Sequence, residues 1–247
     1  ALSVVVLGDE SGYSVSENQK MKLAAIEAEW HTAPAPAPFT LFGVPDMQAR
    51  ETKAAIQIPW VMGLITTRSL DEQVPGIHDL VETNKERIRN GIQAYAALNA
   101  VRADPDNPAK QQAFLEKQQD LGFGLLTLKY VNDPAKADEA VIEKAAWSTV
   151  PNVPVLFFSF RIMVALGFFF IALFALAFYL ASVRKLDNRL FLRVAFFSLP
   201  LPWVAAELGW IVAEYGRQPW AIDGVLPTFL GVSSTSAAQV TGSLVGF

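Results

Sequence analysis

The run from Ile162 to Ala181, IMVALGFFFIALFALAFYLA, contains twenty residues and no charged side chain. As a helix rising about 1.5 Å per residue it reaches about 30 Å, the thickness of bilayer hydrocarbon. No face of such a helix is made for water, so the sequence predicts a membrane-spanning helix over residues 153–183. In lipid every backbone N–H and C=O must be satisfied internally, which limits neighbouring spans to helices or a closed barrel. Composition agrees, since 52% of the 247 residues are hydrophobic and only 18% are charged, a poor balance for a water-soluble enzyme of this size.

A second apolar stretch, broken by Pro200 and Pro202, predicts a kinked spanning helix over residues 194–220. The connector between the two carries Arg184, Lys185, Arg189 and Arg193 against one acid, Asp187. The positive-inside rule therefore places residues 184–193 as a short cytoplasmic loop and residues 9–152 on the outer side. The opening ALSVVVL is too short to span and lacks the marks of a signal peptide, so residues 1–8 read as the end of a spanning helix. Residues 221–247 read as an outer loop leading into the start of the next one. The expected fold is an all-α polytopic transmembrane bundle, present as an internal piece of a longer membrane protein, with a long helical extracytoplasmic segment.

That segment shows helical signals. Ser16 and Gln19 form a capping-box pattern ahead of KMKLAAIEAEW, and TAPAPAPF suits extended polyproline II. Ile77, Leu80, Val81, Ile88, Ile92 and Tyr95 recur at helical spacing, and residues 109–121 and 134–148 predict two further amphipathic helices. The net charge of −4, with no basic stripe interleaved with aromatics, points away from nucleic acid. The absence of cysteine excludes disulfides, thiolate metal sites and thioether haem attachment within this chain.

Several charges accompany the apolar runs, and ionisable groups in a spanning helix are costly and usually functional. Trp210, Glu214 and Arg217 are spaced at i, i+4 and i+7, which on a regular helix brings the three side chains within mutual reach. Arg217 and Trp220 suit a snorkelling cation and an aromatic anchor at the membrane edge. Glu214 lies inside the apolar run and reads as functional, and Glu207 lies seven residues before it. Met163 follows Arg161 by two residues at the outer start of the first span. A soft thioether, a carboxylate and two guanidiniums at similar depth suit an iron porphyrin, whose propionates take Arg and whose iron accepts Met or carboxylate. His31 and His78 fall outside both spans and read as surface residues. Lys22 and Glu27 are five apart, off a common helix face. They suit a solvated amphipathic helix, and equally a donor and acceptor for a quinol head; the spacing leaves both readings open.

GDESGY, KLAAIEAEW, FRIMVALGF and above all GWIVAEYGRQPWAI resemble subunit I of the cytochrome bd quinol oxidases, in the branch with a long quinol-binding loop. The resemblance covers the whole chain. It implies a haem-binding subunit of a terminal oxidase that takes electrons from ubiquinol or menaquinol at the outer face and reduces dioxygen to water, building a proton gradient without pumping. By matching motif, Lys22 and Glu27 would bind quinol. Met163 would ligate a low-spin haem b whose reduced form Arg161 stabilises, and Glu214 would ligate a high-spin haem b, with Trp210 and Arg217 in the haem-pair region. Haem d and the histidine ligands would come from sequence outside this chain. The resemblance further implies subunit II, small single-helix accessory subunits and a place in the bacterial inner membrane, with the quinol loop on the periplasmic side. Two other readings are a haem- or quinone-binding relative without turnover, and a transporter in which Glu207 and Glu214 relay ions.

Overall fold

The computed structural model describes residues 2–246 apart from 67 and 70, so the first and last residues of the expected terminal segments lie outside it. Helix α1, Leu2–Asn18, runs on well past the apolar opening, and α2 is Lys20–Glu27. The capping box does not form. The Ser16 hydroxyl donates instead to the carbonyls of Tyr13 and Thr66, both at 2.7 Å, and Gln19 makes no side-chain cap. At the end of α2, Ala28 adopts the left-handed conformation with φ 54°. The Glu29 N–H reaches the Ala24 carbonyl at 2.9 Å and the Ala28 N–H the Ala25 carbonyl at 3.3 Å, the paired bonds of a Schellman stop.

The proline-rich segment follows without regular structure, and then the chain departs from the all-helical expectation. Strands β1, Phe39–Asp46, and β2, Glu51–Ile58, form an antiparallel hairpin with Phe39 opposite Ile58. Its turn is set by Asp46, whose carboxylate accepts from the N–H groups of Gln48 and Ala49 at 2.9 and 3.0 Å. A short helix α3, Val61–Thr66, returns the chain, and Ala33, Ala37, Met62 and Val74 bury together with Leu23 and Phe39 packed on them.

Helix α4, Ile77–Ala103, buries Ile77, Val81 and Ile88 of the predicted stripe, while Leu80, Ile92 and Tyr95 are half-buried. The two further predicted helices break up. Residues 109–121 become α5, Pro108–Leu115, and a 3-10 turn, followed by α6, Leu121–Leu125; residues 134–148 become a 3-10 turn and α7, Glu139–Trp147.

The first candidate spanning helix is α8, Val153–Ser182. Asn152 caps it by accepting from the Val155 N–H at 3.2 Å, and Pro154 occupies the first turn, where no N–H is needed. Its apolar side chains face outward, Phe168 at 69% and Phe178 at 77% exposure. A second Asn, Asn188, caps α9, Arg189–Phe197, so Arg189 and Arg193 stand on a helix and the basic connector shortens. Pro200 and Pro202 interrupt the second candidate span, Arg189–Tyr215. They end α9 and start α10, Leu201–Trp210, which passes into a π-helical turn at Ile211–Tyr215. Both Val153–Ser182 and Arg189–Tyr215 are long and apolar enough to cross a membrane. Strands β3, Trp220–Ile222, and β4, Leu226–Pro227, form a small hairpin, and α11, Ala237–Gly246, is exposed.

Two compact units emerge, residues 1–85 with 146–218 and residues 86–145 with 219–247. In the first, Phe157 and Leu156 of α8 are fully buried, as are Ala24 and Ala25 of α2. In the second, Gly91 and Gly124 let backbones meet, since a Cβ on Gly91 would fall 2.3 Å from the Gly124 nitrogen. Trp220 belongs to this second unit and is no lipid anchor. It is 5% exposed and packs on Phe123 at 4.9 Å between ring centres, because the chain turns into β3 directly after the π turn.

Ala28 holds a conformation that costs a β-carbon about 1–2 kcal/mol, and glycine gives part of that back through its freer unfolded chain. Ala28→Gly is expected to stabilise the protein by about 0.5–1 kcal/mol, measured as a rise in the thermal unfolding midpoint.

Candidate functional site

The site is built from Arg161, about two turns inside α8. Its side chain is 12% exposed, and the guanidinium is engaged on every nitrogen. Nε donates to the carbonyls of Thr40 at 3.0 Å and Leu41 at 3.2 Å; Nη1 donates to those of Ile26 at 2.8 Å and Phe157 at 3.3 Å. Nη2 donates to Glu27 Oε2 at 2.9 Å and also to the Thr40 carbonyl. The Cζ sits 3.4 Å from the centre of the Phe157 ring. One side chain thus ties the spanning helix to the end of α2 and the start of β1. The planar fork of arginine makes this multiplicity of bonds feasible.

Glu27 is 5% exposed. Burial pushes its pKa up to about 7, against the opposing charge and hydrogen bond of Arg161. Glu29, two residues on, is pushed up to about 7 by burial and by the nearby Glu27. Carboxyls in this range can take up and release protons near neutrality.

Beside the pair lies an apolar cavity of 760 Å³. Phe39, Phe42 and Ile58 of the hairpin, Ile65 of α3, and Phe158 and Phe168 of α8 wall it, and Glu27, Arg161 and Thr66 supply its polar lining. Aromatic and aliphatic walls with a few convergent polar groups suit a ring-bearing amphiphile.

Lys22 and Glu27 diverge, as a five-residue spacing dictates. Lys22 Nζ donates to the Ala213 carbonyl at 3.0 Å, inside the π turn, and its stem lies over Gly216, where a Cβ would fall 3.1 Å from two of its carbons. The two residues therefore reach the two spanning segments separately. The wider i→i+5 winding of the π turn also changes the expected cluster at its foot. Glu214 pairs with Arg217, and Trp210 is 65% exposed. The extra residue in the turn removes the i, i+4 alignment that a regular helix would have given. Glu207 is exposed on α10.

Met163 lies where α8 packs on α10, and a Cβ on Gly209 would stand 3.1 Å from its Sδ. The Nε of Arg217 is buried with no hydrogen-bond partner, an open donor beside the Glu214 carboxylate. A thioether, a carboxylate and an unfilled guanidinium donor on two helices in contact fit the donor needs of haem irons and a propionate. Among the described residues no group of three His, Cys, Asp or Glu could hold a metal ion alone. His31 and His78 stack on each other at 4.8 Å, with Trp147 edge-on to His78 at 5.4 Å. Burial, with His31 and Arg50 nearby, lowers the His78 pKa.

Sequence reasoning missed Glu29, Thr40 and the whole hairpin wall. The alternation in FTLFGV and TKAAIQI around a PD turn was the available signal.

The full chain, residues 1–247, matches the family model described as cytochrome bd terminal oxidase subunit I. It is 37% identical over 245 residues to cytochrome bd-II ubiquinol oxidase subunit 1 of Escherichia coli (strain K12), covering 99% of this chain and 48% of that protein. It is 25% identical over 248 residues to cytochrome bd ubiquinol oxidase subunit 1 of Bacillus subtilis (strain 168), covering 100% of this chain and 41% of that protein. The chain thus spans about half the length, or less, of the curated relatives it matches.

Removing Glu27 would leave a buried, unpaired guanidinium. Glu27→Ala is expected to cost about 3–5 kcal/mol, while Glu27→Ala combined with Arg161→Met recovers most of it. Thermal unfolding of the purified variants reads the difference.

Proposed function

We propose a role that proceeds from one premise, that the chain belongs to the cytochrome bd terminal oxidase subunit I family. In this reading it contributes the quinol-oxidising part of a membrane-bound terminal oxidase that reduces dioxygen to water. The observation that carries the reading is the apolar cavity with Glu27 and Arg161 at its polar edge. Quinol enters between the hairpin and α8, its ring against Phe39 and Phe158 and its hydroxyl towards Glu27. Glu27 accepts the hydroxyl proton, and Arg161 fixes the carboxylate in place and offsets its negative charge. Ubiquinol and menaquinol both match an apolar cavity of this size.

Haem, when bound, supplies one-electron transfer and oxygen chemistry. Met163 is the residue on this chain that would hold a low-spin haem b, Glu214 would hold a high-spin haem b, and Arg217 would meet a propionate through its open Nε. Haem d and the remaining ligands are assigned to the rest of the protein. Arg161 stands two residues from Met163 on the same helix, so quinol and the low-spin group share one rigid support. Trp210 is assigned to the haem-pair region as an exposed aromatic. Lys22, assigned to quinol by motif, touches the π turn and would act on quinol from that side.

The membrane reading has residues 184–193 on the cytoplasmic face and residues 9–152 on the outer face, in the bacterial inner membrane. Quinol protons then leave outward while protons for water come from inside, which separates charge without a pump. Subunit II and small single-helix subunits would complete the assembly.

Two experiments test this. Ile65→Trp places a larger ring in the cavity wall, and it is expected to raise KM for quinol at least several-fold with haem content unchanged; an unchanged KM contradicts the cavity assignment. Met163→Leu conserves volume, so the fold should survive. The low-spin haem b absorption should vanish or change spin while Glu214→Ala removes the high-spin signal instead. Full haem bands in both variants would overturn the ligand assignments.

A further inference from the structure

Two cavities are lined by neighbouring residues at the open end of the large hairpin. The apolar one takes Glu27, Phe39 and Ile58 in its lining. The other, an open cleft of 670 Å³, takes the neighbouring residues on each element: Glu29, Pro38 and Gln57. Side chains alternate along a strand, so β2 serves both, with Ile58 in the apolar cavity and Gln57 in the cleft. The Schellman turn at Ala28 does the same for the acids, breaking the helix between Glu27 and Glu29 so that each faces its own cavity. The rung between them is polar on its inner side. Thr40 is 4% exposed, accepts from Gln57 Nε2 at 3.2 Å through its hydroxyl, and accepts from Arg161 through its carbonyl.

We propose that Glu29 is the outlet through which protons from the apolar cavity reach water, receiving them from Glu27 and releasing them into the open cleft. The proposal rests on the assignment of quinol to the apolar cavity and extends it to a residue to which neither motif nor spacing gave a role. The step balances simply. In each cycle one hydroquinone O–H bond breaks, its proton passes to the Glu27 carboxylate, and one electron leaves for an oxidised haem as acceptor. Glu27 then passes the proton to Glu29, which loses it to water in the cleft and is ready again. Two such cycles convert one quinol to quinone.

The arrangement explains why a buried carboxylate bonded to arginine has a second carboxylate beside it. Glu27 is walled by aromatic and aliphatic groups on the cavity side, so a proton taken there needs a way out that does not cross hydrocarbon. The charged and titratable groups around Glu29 are few. Glu27, with Arg161 behind it, stands on one side, and His31 shares the cleft. The Ile77 and His78 N–H groups at the start of α4 bond the carbonyls of Glu29 and Trp30 at 2.9 and 3.0 Å, which brings His78 and Asp79 to that side. Both acids titrate near 7, so they are exchangeable partners in a transfer. Each accepts a proton only when ionised, so the rate of quinol oxidation should rise as pH increases through about 7.

The test uses the assembled oxidase in proteoliposomes, with ubiquinol as substrate and a pH dye outside. Glu29→Gln should slow turnover and outward proton release together by roughly 10- to 100-fold, within the range for losing a proton-transfer group. The rise in rate through pH 7 should flatten, while KM for ubiquinol and the haem spectrum stay unchanged. Glu29→Asp should restore the pH profile. Unchanged turnover and an unchanged pH profile in Glu29→Gln would overturn the proposal. Ile65→Trp separates the premise from the proposal: if its KM is unchanged, quinol does not use this cavity, and if its KM rises while Glu29→Gln behaves as wild type, only the outlet fails.

Discussion

Arg161 brings a full positive charge into the first turns of a helix otherwise made for lipid. The cost of removing that charge from water is several kcal/mol and is offset only by near-complete engagement of its donors. Four backbone carbonyls and one carboxylate supply that engagement. Each acceptor belongs to a segment that must then stay in place: the end of α2, the start of β1 and the first turns of α8. The cavity exists because those three segments are held apart by side chains and together by one guanidinium.

The second constraint is the π turn. Widening the helix at Ile211–Tyr215 disturbs the regular i→i+4 bonds and leaves carbonyls for other donors. Lys22 meets the one at Ala213. The same loop thus reaches both spanning segments, through Glu27 to α8 and through Lys22 to the foot of α10. In the functional reading, these are the two segments that carry the haem ligands of this chain. Movement of the loop on binding quinol would be felt at both.

How legible was this in the sequence? The two long apolar helices were legible because a twenty-residue uncharged run is too long for a strand and suits a helix of membrane-crossing length. Glu214 stood out as a carboxylate where leucine would have been cheaper, whereas Met163 drew notice only through its neighbours and Arg217 alone suited a cation at the membrane edge. The break at Pro200 and Pro202 was legible, though its form was not, since a proline pair serves equally as a kink or as a helix start. The hairpin was hidden because its strands expose Leu41, Phe42, Ile56 and Ile58 and bury little, so their alternation carries no clean polar face. The π turn below Trp210 was not legible, because no local residue pattern announces one. The pairing of Glu27 with Arg161 crosses 134 positions of sequence, and only the folded chain brings them together. Glu29 looked like an ordinary member of a solvated helix, since the αL stop at Ala28 that parts it from Glu27 sits on alanine and gives no glycine signal.

A photoreactive quinone analogue bound to the assembled oxidase, followed by mass-spectrometric mapping of its adducts, tests the central claim most directly. The account predicts adducts on the cavity walls, within residues 39–42, 58–65 and 158–168, that are lost when excess ubiquinol is present. Competed adducts confined to other segments, with none on these walls, would contradict it.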